Sequence, residues 1–101
     1  MVKHIVMWKL KEFAEGKTRD ENFKIIKSRL EALPADIPEI RHIEVGINFS
    51  KGSDGFDAVL YSEFDSAETL EIYQNHPKHK ETAAFVALVR NERVVGDYII
   101  I

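Results

Sequence analysis

The sequence predicts an α+β domain whose strands and helices follow the order β-α-β-β-α-β. Three observations lead to this prediction: apolar residues alternate in the first ten positions, they recur at helical spacing after Thr18, and the second half repeats the strand-helix-strand rhythm of the first. A chain of 101 residues is long enough for one core of this kind. We therefore expect a single domain over residues 1–101.

The first strand is predicted at residues 2–10, where the two faces carry different side chains. One face holds Val2, His4, Val6, Trp8 and Leu10, and the other holds Lys3, Ile5, Met7 and Lys9. After a polar connection at residues 12–17, Thr18 is a suitable helix N-cap with Glu21 as its capping-box partner. The apolar stripe of this first helix is Phe23, Ile26, Leu30 and Leu33. Pro34 and Pro38 are expected to end it.

The second half of the chain supplies the remaining elements. Strands are predicted at residues 40–49 and 56–64, joined by the turn-rich segment 50–55. Asp65 or Ser66 caps a second helix, which Pro77 interrupts and which then continues to about residue 91. A last strand follows at residues 93–101. This order is that of ferredoxin-like domains, in which two helices cover one face of a four-stranded antiparallel sheet.

Both faces of the predicted sheet are apolar. Ile5, Met7, Val59, Tyr61, Ile99 and Ile101 are assigned to one face, and Val6, Trp8, Leu60, Phe64, Tyr98 and Ile100 to the other. Two helices cover only one face, and a face in contact with water should carry more polar residues. We therefore expect a homodimer in which two sheets pack face to face as a barrel.

Composition limits the classes of partner and cofactor. Seventeen acidic and fourteen basic residues give a formal net charge of −3, so we expect neither nucleic acid nor membrane as a partner. The absence of cysteine excludes disulfides, thiolate metal sites and a cysteine nucleophile. No segment approaches the length of a membrane-spanning helix or resembles a signal peptide, so a cytoplasmic location is expected. Glycine-rich nucleotide motifs are also lacking, and we expect no cofactor.

The segment Tyr73-x-x-His76-Pro77-x-His79 is the most specific local feature. A histidine exchanges protons near neutral pH, and a tyrosine hydroxyl can hold an enol or carbonyl oxygen. The alternative interpretation is structural: His76 caps the helix that resumes after Pro77, and His79 occupies a polar pocket at its start. We expect no metal site, because Pro77 interrupts the spacing of the two histidines.

His4 is the second candidate, because an imidazole among apolar neighbours needs a hydrogen-bond partner. Tyr73, a backbone carbonyl and a ligand are all possible partners at this stage. The strand carboxylates, which include Asp97, are expected to be solvated or to form salt bridges.

The chain resembles the stress-responsive A/B barrel (Dabb) family along its whole length. The resemblance rests on VKHIVMWKLK at residues 2–11, on the Tyr73–His79 segment and on Val95-Gly96-Asp97-Tyr98. It implies a ferredoxin-like protomer that pairs into a dimeric α+β barrel. One plant member of the family performs a cofactor-free aldol cyclisation. Carried over, its catalytic tyrosine and histidine correspond to Tyr73 and His79, and its pocket histidine to His4.

Three hypotheses about function follow. The first is a homodimer of undetermined biochemical role that binds a small organic ligand between sheet and helices. The second is a cofactor-independent lyase, cyclase or oxygenase-like enzyme with His79 as general base and Tyr73 as its catalytic partner. The third is a stress-related stabilising or interaction module. The residues expected to contact a ligand are His4, Val6, Trp8, Leu60, His76 and Phe85. Trp8 and Phe85 are large enough to fill the pocket instead.

Overall fold

The chain folds into an antiparallel sheet covered on one face by helices, as described by a computed structural model for residues 1–52 and 54–101. The strands of the sheet are β1 (Val2–Leu10), β4 (His42–Ile47), β5 (Ala58–Phe64) and β6 (Arg90–Ile99). Their order across the sheet is β4-β5-β1-β6. The helices are α1 (Arg19–Glu31), α2 (Ala67–Asn75) and α3 (Pro77–Val89). A small hairpin of β2 (Phe13–Ala14) and β3 (Lys17–Thr18) precedes α1. The predicted ferredoxin-like fold is confirmed.

The alternation in β1 determines which face the helices cover. Buried and half-buried residues alternate strictly from Val2 to Leu10, and β5 alternates in the same way from Ala58 to Phe64. The buried set of β1 lies under α1, α2 and α3 in the core that the sequence predicts. Because successive side chains of a strand point to opposite faces, the half-buried set lies on the face away from the helices.

The junction between α2 and α3 positions the predicted Tyr73–His79 segment. His76 has an extended backbone, with φ −68° and ψ 136°, and it ends α2 and begins α3. Pro77 occupies the first turn of α3, where its missing N–H leaves no hydrogen bond unmade. The chain therefore turns sharply between Tyr73 on one helix and His79 on the next.

The assignment of faces in β6 was wrong. Tyr98 lies opposite Lys3 in the register with β1, and Ile99 lies opposite Val2. Tyr98 therefore belongs to the face of Ile5 and Met7, and Ile99 to the helical face. The apolar run in β6 has large side chains at consecutive positions, so its composition does not distinguish the faces, whereas pairing with β1 does.

Several element boundaries also differ from the prediction. The connection at residues 12–17 contains most of the β2–β3 hairpin, and β4 is shorter than the predicted strand at residues 40–49. Helix α3 ends at Val89 rather than near residue 91, and β6 starts directly after it. Within the predicted turn at residues 50–55, residue 53 lies outside the described residues.

The face of the sheet away from the helices, here called the open face, keeps its apolar character. It carries Ile5, Met7, Val59, Tyr61, Val94 and Tyr98. Val94 and Tyr98 are 47% and 46% exposed, respectively. A water-facing surface of this kind is unusual for a monomer of this size. In the described part of the chain, no helix is both long enough and apolar enough to span a membrane.

Candidate functional site

A cavity of about 250 Å³ lies between the sheet and the helices. Strands β1, β5 and β6 contribute one side of its lining, and the helices contribute the other. Its lining residues are His4, Val6, Trp8, Leu30, Leu60, Tyr73, His79, Ala83, Val86, Arg90 and Arg93. The cavity is not filled by Trp8, which forms part of its wall.

Most of the residues singled out from the sequence meet at this cavity. The six that line it are His4, Val6, Trp8, Leu60, Tyr73 and His79. Phe85 is not among the lining residues. It packs against the core near α1, where the Arg29 guanidinium lies 4.6 Å from its ring centroid.

His76 also lies outside the cavity lining. Its Nδ1 accepts a hydrogen bond from the backbone N–H of Lys78 at 3.1 Å, so its side chain caps α3. It borders a separate, shallow groove along the outer surface of α2. The structural interpretation of His76 therefore describes its position as the cap of α3, and the expected contact with a ligand in the cavity stays a prediction.

His4 forms a hydrogen bond with a carboxylate that was not identified as its partner from the sequence. The imidazole is buried, and its Nδ1 donates a hydrogen bond to Asp97 on the neighbouring strand. The two residues face each other directly in the β1–β6 register. Asp97 was not among the partners considered for His4 from the sequence, namely Tyr73, a backbone carbonyl and a ligand, and Asp97 is engaged by His4 rather than free in solvent. The pair fixes the orientation of the His4 ring at the cavity wall.

Tyr73 lies between the two histidines of the cavity. Its ring centroid is 6.2 Å from that of His4 and 4.4 Å from that of His79. The side chain is fully buried, and within the described part of the chain its hydroxyl has no hydrogen-bond partner. Burial raises the pKa of the phenol well above its usual range, while the positive charge of Arg93 lowers it to a smaller extent. The hydroxyl therefore stays protonated near neutral pH and remains a donor for a ligand.

His79 is held in a form that suits proton acceptance. Its Nδ1 lies 3.1 Å from the carbonyl oxygen of Gln74 and donates to it, because a carbonyl can only accept. Burial lowers the pKa of the imidazole, and the charges of His4, Arg93 and His76 lower it further. In the neutral ring, a proton on Nδ1 leaves Nε2 with a free lone pair. Nε2 is therefore the ring nitrogen that can accept a proton, and the ring lies next to that of Tyr73, with 4.4 Å between the centroids.

Sequence reasoning missed five of the lining residues: Leu30, Ala83, Val86, Arg90 and Arg93. Leu30 belonged to the predicted apolar stripe of α1, so its burial was expected but not its place at a cavity. No pattern in the sequence singles out Arg90 or Arg93 in the same way. They reach the cavity because α3 leads without a loop into β6, whose register places Arg93 opposite Trp8.

Among the described residues, no group of three or more His, Cys, Asp or Glu side chains is arranged to hold a metal ion.

Comparison with known proteins places the chain in a family. Residues 2–100 match the family described as the stress responsive A/B barrel domain. An uncharacterized protein of Streptomyces coelicolor is 33% identical over 101 residues, which cover 97% of this chain and 98% of that protein. A crystal structure from Bacteroides fragilis, described as a dimeric protein of unknown function with a ferredoxin-like fold, is 36% identical. Its TM-score is 0.82, and the match covers 98% of this chain and 95% of that one.

A hydroxynitrile lyase from Passiflora edulis has the same fold, with a TM-score of 0.84. It is 23% identical, and the match covers 98% of this chain and 92% of the lyase. At that identity the likeness concerns the fold alone. The match over residues 2–100 shows that this chain belongs to the stress responsive A/B barrel domain family.

Proposed function

We propose that this chain acts as a single-domain homodimer that binds a small organic ligand in the cavity between its sheet and its helices. The observation that supports this most is the fully buried Tyr73 hydroxyl, which lacks a partner in the described part of the chain and belongs to a cavity-lining residue. A buried polar atom without a partner is costly, and a ligand that accepts its hydrogen bond removes that cost. A cytoplasmic location remains a prediction from the sequence.

The size of the cavity limits the ligand. An apolar cavity of about 150 Å³ accepts benzene. A cavity of about 250 Å³ therefore has room for one ring with short substituents. Val6, Leu30 and Leu60 offer apolar contacts to such a body. This volume favours ligand binding over a purely stabilising or interaction role.

The homodimer is supported by the open face and by a relative. The apolar side chains of that face include Met7 in the central strand β1, between Val59 and Val94. Covering them would stabilise a dimer by roughly 25 cal/mol for each Å² of apolar area removed from water. The Bacteroides fragilis protein, which is 36% identical, is described as dimeric.

Blocking the cavity tests the ligand proposal. Ala83 is exposed on α3 and borders the cavity, so Ala83→Trp places an indole at its mouth. Ala84→Trp is the matched control, because Ala84 is the next residue of α3, is also exposed and is not among the lining residues. We would screen small ring compounds against the wild type by NMR. Hits should shift the amides around the cavity, persist in the control and disappear in Ala83→Trp. Hits that survive in Ala83→Trp, or an absence of any hits, would argue against the site.

The second candidate function is cofactor-independent proton transfer, favoured by the hydrogen bond from His79 Nδ1 to Gln74. In this proposal, His79 Nε2 removes a proton from a carbon next to a carbonyl group of the ligand. The electron pair of the broken C–H bond forms the C=C bond of an enolate, while the π pair of the carbonyl group moves to its oxygen, to which the Tyr73 hydroxyl donates a hydrogen bond. The proton remains on His79 until it returns to the product.

Hydrogen–deuterium exchange measures this step directly. We expect the protein to accelerate exchange of the α-protons of phenylacetone in D₂O above the buffer rate. His79→Gln should abolish the acceleration, and Tyr73→Phe should reduce it by about tenfold or more. Exchange at the same rate in wild type and His79→Gln would exclude His79 as the base while leaving ligand binding intact.

A further inference from the structure

We infer that the ligand of this cavity is an organic anion whose oxyanion is held by Arg93, with Arg90 beside it. This inference rests on the proposed function, because it specifies the chemical class of ligand for the same cavity. The inference is based on the charged side chains of the cavity lining. Neither the fold nor the family match gives these side chains a role.

The charges around the cavity are unbalanced. Arg90 and Arg93 line it, and no aspartate or glutamate is among its lining residues. Asp97 of the same strand accepts a hydrogen bond from His4. Glu92 lies on the open face of the sheet, where it binds Lys9 at 2.9 Å. In the described part of the chain neither arginine forms a salt bridge. The chain as a whole carries a formal net charge of −3, so this excess of positive charge is local.

The position of Arg93 joins this charge to the reactive side chains. Arg93 lies opposite Trp8 in the β1–β6 register, on the helical face of the sheet. Arg93, Tyr73 and His79 line the same cavity. The charge of Arg93 also lowers the pKa of both Tyr73 and His79. An oxyanion bound by Arg93 would therefore lie near the unpartnered Tyr73 hydroxyl.

The guanidinium group suits this task. It presents its N–H donors in a planar fork that matches the two oxygens of a carboxylate, and it also binds phosphate. The lining also contains apolar side chains, which include Val6, Leu30 and Leu60. The cavity therefore fits a molecule with an apolar body of about one ring and an anionic group at one end.

A pair of probes that differ mainly in charge tests the inference. We would titrate the wild-type protein with phenylacetate and with phenylacetamide, follow amide shifts by NMR, and hold the ionic strength constant. Phenylacetate should bind more tightly by about tenfold or more, because a hydrogen bond to a charged group is stronger than a neutral one. Phenyl phosphate, titrated in parallel, distinguishes a phosphate site from a carboxylate site within the same class.

Arginine variants test whether the preference for phenylacetate comes from Arg93. Arg93→Gln should reduce the preference for phenylacetate to about twofold or less, and Arg93→Lys should retain part of it. Arg41→Gln is the matched control, because it removes the same charge from an exposed pair with Asp65 and leaves the cavity untouched. We expect it to bind both probes like the wild type.

The outcomes separate this inference from the proposed function. Equal binding of phenylacetate and phenylacetamide at the cavity would overturn the anion inference and leave the ligand site standing. An unchanged preference in Arg93→Gln would overturn the assignment to Arg93. If none of the probes shifts the amides around the cavity, the anion inference fails, and any neutral hits from the ring-compound screen would still support the ligand site.

Discussion

The Tyr73 hydroxyl illustrates a conflict between stability and function at a single atom. It is buried without a partner in the described part of the chain. In the unliganded protein, a phenylalanine at this position should therefore be more stable than the tyrosine, because no polar group is then buried unpaired. We expect Tyr73→Phe to raise the free energy of unfolding by about 1 kcal/mol, measured by urea denaturation, and to weaken ligand binding. A loss of more than 1 kcal/mol would contradict the absence of a partner in the protein.

The stability of the protein should depend on pH through His79, which lines the same cavity. Its pKa is lowered in the folded protein by burial and by the charges of His4, Arg93 and His76, and the Gln74 carbonyl only partly opposes this. Between the folded pKa and the ordinary histidine pKa of 6.5, the unfolded chain therefore binds more protons than the folded one. The contribution of His79 to the free energy of unfolding is therefore largest above pH 6.5 and decreases as the pH falls.

We therefore predict a specific pH profile of unfolding. The free energy of unfolding should decrease as the pH is lowered from about 6.5, and the decrease should be shallower in His79→Gln. Urea denaturation of both proteins at a series of pH values measures the difference. An NMR titration of His79 with a midpoint above 6.5 would refute the expected direction.

At the scale of elements, the α2–α3 junction separates a structural histidine from a cavity histidine. His76 caps α3, whereas His79 lies on the first turn and lines the cavity. We expect His76→Ala to lower the free energy of unfolding by about 0.5–1 kcal/mol, because the cap hydrogen bond is lost. His76→Asn should restore most of it, since asparagine is a good N-cap.

Neither His76 variant should change ligand affinity, because His76 is absent from the cavity lining. Thermal denaturation and probe titration of the same samples check both statements. A fall in affinity that His76→Asn does not repair would return His76 to the ligand site, as first expected from the sequence.

The elements also show which parts of the fold were predictable. The period-two pattern of β1 has one polar ring, His4, on an otherwise apolar face, and that pattern predicted the buried face correctly. Thr18 and Glu21 form the predicted capping box at α1. In β6, by contrast, apolar residues lie on both faces, so only pairing with β1 determines which side chains face the helices.

The site was less predictable than the fold, because its contacts join distant segments. His4 and Asp97 are 93 positions apart in the sequence, and no local pattern relates them. Tyr73 and His79 were found because a proline between them marks a turn. Arg93 carries no periodic signal, and its place at the cavity depends on the register of β1 with β6.

At the scale of the whole molecule, the open face has the properties that the proposed dimer surface requires. Its charged side chains are already paired: Lys3 Nζ lies 2.5 Å from Glu63, and the Tyr61 hydroxyl donates to the same carboxylate at 2.6 Å. A partner that covers this face would therefore bury apolar side chains without leaving these charges unpaired. The helices lie on the opposite side of the sheet, so the cavity and the proposed dimer surface are separate.

Because of this separation, a substitution on the open face can test the proposed dimer without changing the side chains between the sheet and the helices. Met7 lies on the open face of the central strand, between Val59 and Val94, so Met7→Glu places a carboxylate where the second sheet would pack. We expect sedimentation velocity at micromolar concentration to show a dimer for the wild type and a monomer for Met7→Glu, because an unpaired buried charge costs several kcal/mol. Ile72→Glu is the control: Ile72 is 49% exposed on α2, on the helical side, and the same change there should leave a dimer. A monomeric wild type would refute the face-to-face pairing of sheets. A dimeric Met7→Glu would place the interface on another surface.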